Sequence, residues 1–173
     1  MLVAGCGGSS GGGSAPRPSD RQALSAYVGR IEPLRHGVNE LLDGADPILG
    51  GYRDGRLSAT ATQHGLRRIE HRFAHYEAGV AAVRPVPPDL IAAQRAYAHT
   101  YVLEDAYLRA LIAAVPGRRW NQLPRFEARQ RRVLVAWRNA LAIEAARVDV
   151  PLPDDIQIAG GGEITPSPLG DES

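Results

Sequence analysis

The sequence predicts an all-α protein: an antiparallel up-down-up-down four-helix bundle with a disordered N-terminal tether and an irregular C-terminal tail. Three observations predict it. Apolar residues recur at i, i+3, i+4 and i+7 over four long stretches. Proline and glycine punctuate the joins at Asp46-Pro47, Asp54-Gly55, Pro85 to Pro88 and Pro116-Gly117. Those joins are short, and short joins make consecutive helices antiparallel neighbours.

The first helix opens at Ser19-Asp20-Arg21-Gln22, which has the spacing of a capping box. Its stripe is Leu24, Tyr27, Val28, Ile31, Leu34, Val38, Leu41, Leu42 and Ala45, with Arg35 inside it. Pro33 removes an amide and crowds the preceding turn, so a kink is expected there. The second helix starts near Ser58 or Thr60 and runs to about Val83 on Leu66, Ile69, Phe73, Tyr76, Val80 and Val83. The third runs from about Asp89 to Val115 on Leu90, Ala93, Tyr97, Tyr101, Glu104, Leu108, Leu111 and Val115. The fourth runs from near Pro124 to about Val148 on Phe126, Gln130, Val133, Trp137, Leu141, Glu144 and Val148. The chain thus divides into a leader and tether (1–18), a bundle (19–150) and an acidic tail (151–173). Ile156, Ile158, Ile164 and Leu169 give that tail the means to lie across the bundle.

The single cysteine, Cys6, follows Leu2-Val3-Ala4-Gly5. A branched apolar residue, two small residues and a cysteine resemble the lipobox of bacterial lipoproteins. Residues 7–14 contain only Gly and Ser, and Ala15-Pro16-Arg17-Pro18 follows, a composition that behaves as a flexible tether. The resemblance implies cleavage of a signal peptide before Cys6, diacylglycerol on its thiol, and an extracytoplasmic protein lipid-anchored to the bacterial cell membrane. It also implies a charged n-region and a longer apolar stretch ahead of Val3. Their absence is what a misplaced start codon or a trimmed N-terminus would produce.

Composition narrows the function classes. Net charge is +1, against the basic excess of a nucleic-acid binder. All 20 basic residues are arginine, as codon usage in a high-GC genome produces. One cysteine excludes an internal disulfide, a CxxC redox pair and a c-type haem site. No run reaches the roughly 18 apolar residues of a transmembrane helix. The nucleophile elbow, the phosphate loop and the dinucleotide fingerprint are all missing, so no enzyme and no cofactor are expected.

Three residue groups remain as candidates. Arg35, Tyr97, Tyr101, Glu104, Gln130 and Glu144 fall within apolar stripes, and burying such groups is costly unless they pair. Arg35 and Glu104 lie at matching heights in a bundle rising about 1.5 Å per residue, which predicts an ion pair helped by Tyr97 or Tyr101. Glu144 falls within reach of Tyr27 or Tyr97. This group reads either as a polar network fixing helix register or as a pocket for a small ligand or metal. His64, His71 and His75 share one face of the second helix, about 180–220° from its apolar stripe at about 100° per residue. They read as a solvated face or as weak metal ligands. Finally, Arg118, Arg119, Arg125, Arg129, Arg131, Arg132 and Arg138 face only Glu127 in that region. This charge reads as a solvated face or as a basic patch, edged by Trp120, for an anionic envelope polymer, lipid headgroup or partner protein. The expected function is a non-catalytic cell-envelope interaction module, with a metal- or ligand-binding bundle as the alternative.

Overall fold

The computed structural model describes residues 17–125, 127–157 and 166–169, and Cys6 with its Gly/Ser tether lies outside the described residues. Four long helices carry the described chain, and no strand occurs in it. They are α1 (Pro18–Asp43), α3 (Ala59–Ala82), α4 (Ile91–Ala114) and α5 (Glu127–Val148). Two short ones, α2 (Asp46–Arg53) and α6 (Asp154–Gln157), sit in the first join and in the tail. None of the described helices is long and apolar enough to cross a membrane.

Helix starts follow local chemistry, with one correction. Helix α1 begins at Pro18, not through a Ser19–Gln22 box. Proline suits the first helical position because its missing amide would have been unpaired there. The Asp20 carboxylate then accepts the Arg17 amide at 3.3 Å. Helix α1 continues through Pro33. The carbonyl that Pro33 frees belongs to Gly29 on an exposed surface, where water can satisfy it. Ser58 caps α3 by accepting the Ala61 amide at 3.2 Å. Gln63, one turn on, donates to the Ile112 carbonyl at 2.9 Å and ties α3 to α4. Gly55, at φ +72°, supplies the left-handed turn before Ser58.

Helix α5 starts at Glu127, three residues after Pro124, because a 3-10 turn over Trp120–Gln122 takes up the chain first. It ends in a Schellman motif: Asp149 adopts φ 54° and the Val150 amide bonds the Ala145 carbonyl at 2.9 Å. Arg21 clasps this end, donating to the Val148 and Asp149 carbonyls at 3.1 and 2.8 Å and to the Asp149 carboxylate.

Helix α3 packs on α1, α2 and α4, and α5 packs on α1 and α4. The core between them holds Leu24, Ile31, Val38, Leu49, Leu66, Phe73, Leu90, Leu108, Leu111 and Leu141. Each of these contributes about 1.5–3 kcal/mol by leaving water. Close approach of α1 and α3 requires Gly37, where a Cβ would lie 2.5 Å from the Tyr76 hydroxyl. In the tail, Ile156 is buried against the core, whereas Leu169 is exposed rather than packed. Ile158 and Ile164 lie outside the described residues.

Candidate functional site

The most connected polar feature joins all four long helices. The Trp137 indole N–H of α5 donates to the Tyr27 hydroxyl of α1 at 3.0 Å. That hydroxyl donates to Gln94 Oε1 of α4 at 2.5 Å. Gln94 Nε2 in turn donates to the Val80 carbonyl of α3 at 3.1 Å. All three side chains are buried. Burial pushes the Tyr27 phenol up to about 12, with the Trp137 N–H pulling the other way. Sequence reading missed Gln94, because its neighbour Ala93 filled the apolar stripe in its place.

Beside this relay runs an aromatic column. Tyr97 stacks on Trp137 with centroids 4.2 Å apart, and meets Tyr101 edge-on at 5.3 Å. Tyr101 stacks on Phe73 at 5.6 Å, and the Tyr97 and Tyr101 hydroxyls share a hydrogen bond of 2.8 Å. Glu104 follows on α4, accepting from Gln130 Nε2 of α5 at 2.7 Å. The space bounded by Glu104, Gln130, Thr100, Tyr101, Phe73, Val38 and Leu42 amounts to about 10 Å³. That is room for about one water.

Two charged members of the core have a partner on their own helix. Arg35 is fully buried and forks onto Glu32, one turn back on α1, at 3.1 and 2.9 Å. Glu144 takes a fork from Arg147 at 2.9 and 2.6 Å. Tyr27, one of the two residues expected within reach of Glu144, instead donates its hydroxyl to Gln94. The Arg147 hydrogen bonds hold the Glu144 carboxyl below its usual range, against the opposing effect of burial. An i, i+3 neighbour is already positioned by the helix, so it gains the pair at a smaller entropy cost than a partner across the bundle.

A second charge cluster, unforeseen from sequence, joins α3 and α4. Arg109 donates to Glu70 at 2.9 Å and contacts Asp105 at 2.6 Å. Burial raises the Asp105 carboxyl, partly offset by Arg109. Burial and then the charge of Asp105 raise Glu77.

His64, His71 and His75 are exposed on α3. Among the described residues no group of three or more His, Cys, Asp or Glu side chains is arranged to hold a metal.

The arginines divide. Arg118, Arg119, Arg125, Arg129, Arg131 and Arg132 are exposed. Arg118 lies 5.0 Å over the Tyr52 ring, and Arg119 donates to the Ala113 carbonyl at 2.9 Å. Arg138 departs from the expected surface patch, being only 7% exposed. It follows Trp137 on α5, and a long aliphatic stem lets arginine run along apolar surface.

Comparison of the chain with protein-family models, with curated proteins and with solved structures finds no match.

Proposed function

We propose that this protein is a non-catalytic, lipid-anchored interaction module of the bacterial cell envelope, tethered through Cys6. One observation carries the reading: Arg125, Arg129, Arg131 and Arg132 stand exposed on and just before α5. Exposed guanidinium groups this close in the chain attract an acidic partner protein or anionic polymer. The lipobox-like residues and the Gly/Ser tether support the anchored location. The up-down-up-down arrangement belongs to the same proposal. It is supported by Tyr27 near the start of α1 meeting Gln94 near the start of α4, close to Val80 near the end of α3. Arg21 meeting Asp149 past the end of α5 supports it as well.

Two measurements on the full chain in a bacterial host test this. The native protein fractionates with membranes and carries the added mass of a lipid, and Cys6→Ser moves it to the soluble fraction. Crosslinking in intact envelopes then yields an adduct that Arg129→Glu/Arg131→Glu/Arg132→Glu abolishes without altering the circular dichroism. A soluble native protein, or an adduct indifferent to charge reversal, would sink the corresponding half of the proposal.

A further inference from the structure

The connection between α4 and α5 forms one side of a groove whose other side is the chain's own tail. Tyr107 of α4 lies at its base, with Trp120, Asn121, Leu123, Pro124 and Arg125 along one wall. Ser167, Pro168 and Leu169 line the same space, which is about 580 Å³ with the tail in place. That volume falls in the range of established binding pockets, about 300–1,000 Å³. Trp120 is braced edge-on against Tyr52, with ring centroids 6.3 Å apart. The wall is thus made by an aromatic side chain held in place.

The tail reaches this groove in a specific way. The Tyr107 hydroxyl donates to the Pro166 carbonyl at 2.9 Å, and both Pro166 and Pro168 are buried. An aromatic-lined groove in which a hydroxyl bonds a main-chain carbonyl is a means of recognising extended, proline-containing peptides. Such peptides suit the task because proline presets the extended conformation and little entropy is lost on docking. Leu169 stands 64% exposed at the rim, so an apolar surface continues past the seated segment. Arg125 at the rim and Arg118 beside Tyr52 add positive charge on the same side. In the sequence, the acids Asp171 and Glu172 follow the two prolines closely.

We infer that this groove is a docking site for an extended, proline-containing, acidic segment of a partner protein, and that residues 166–169 occupy part of it as a built-in competitor. The inference rests on the reading of the protein as an interaction module. It names the partner chemistry and adds a resident segment whose place beside Tyr107 the partner must take. A tethered segment competes at an effective concentration that a free peptide must overcome. The groove is therefore available to partners present at high local density, as on an envelope surface, and closed to dilute ones.

The test uses the full chain and a fluorescent synthetic peptide with the sequence of residues 165–173, read by anisotropy. Pro166→Gly/Pro168→Gly weakens the resident segment at positions away from the bundle core. It is expected to bind the peptide at least about tenfold more tightly than the native chain, since short tethers act at millimolar effective concentration. Tyr107→Phe in that background removes the hydroxyl donor, keeps the ring, and lowers the affinity. A scrambled peptide with both prolines replaced by serine does not bind. Equal affinity for native and released chains, no binding to the released chain, or equal binding of the scrambled peptide would each overturn the inference. If the peptide fails while the charge-reversal crosslinking result stands, the groove is discarded and the module reading survives. If both fail, both are discarded.

Discussion

The Tyr27 hydroxyl stands between Trp137, which donates to it, and Gln94, which accepts from it at 2.5 Å. It is thereby the joint of a relay that ends on the Val80 carbonyl. Removing that one oxygen leaves a buried indole N–H and a buried amide oxygen without those partners. Tyr27→Phe is expected to cost about 2–4 kcal/mol, because each orphaned buried group costs about 1–3 kcal/mol. Urea denaturation gives the value. Adding Gln94→Leu should cost less in the Tyr27→Phe background than in the native chain, and strict additivity would refute the coupling.

The same phenol fixes an alkaline limit. Its folded value of about 12 lies above the ordinary value of about 10, so the unfolded chain loses this proton first as pH rises. Stability from this group is complete below about pH 10 and is lost progressively up to about pH 12, by roughly 2–3 kcal/mol. Urea midpoints taken from pH 9 to 12 should fall more steeply for the native chain than for Tyr27→Phe. Parallel slopes would place the alkaline sensitivity elsewhere.

Glu144 and Asp105 are expected to respond to acid with opposite signs. The Arg147 fork lowers the folded value of Glu144, so its contribution is present above the usual carboxylate range and is lost as pH falls through the lowered value. Burial raises the folded value of Asp105, so its charged form penalises the fold as pH rises from the usual range through the raised value. At pH 7, Glu144→Gln should lower Tm by about 2–4 °C and Asp105→Asn should raise it by a similar amount. Both differences should shrink at pH 3, and scanning calorimetry at the two pH values separates them.

Gly37 sets how closely α1 and α3 approach. Gly37→Ala puts a methyl group 2.5 Å from the Tyr76 hydroxyl, and the ring's Cε1 and Cζ atoms lie at 2.7 and 2.8 Å. The ring must move, at an expected cost of about 1–3 kcal/mol despite alanine's better helix propensity. Pairing the change with Tyr76→Leu should recover part of the loss in the same denaturation assay.

Helix content and the inward faces were legible in the sequence, because burial imposes a period that composition cannot hide. Leu66, Ile69, Phe73 and Val80 on α3 and Tyr97, Tyr101, Glu104 and Leu108 on α4 are all buried where the period puts them. Polar partnerships were less legible. Matching heights drew attention to residues across the bundle, whereas Glu144 has a close partner, Arg147, on its own helix. Gln94 was hidden because a helical wheel cannot decide between adjacent positions when one of them is alanine. The tail contact was hidden too, because nothing in Pro166 or Pro168 announces that Tyr107, far away in sequence, will meet them.

The Arg21 clasp joins the start of α1 to the residue after α5. Helix α5 is continuous for 22 residues, a length of about 33 Å at about 1.5 Å per residue. The Trp120–Arg125 wall precedes its first turn, so it lies at the far pole from the clasp. The protein therefore has one pole where α1 begins and another that carries the aromatic groove. The length of α5 sets the separation between the Arg21 clasp and the groove.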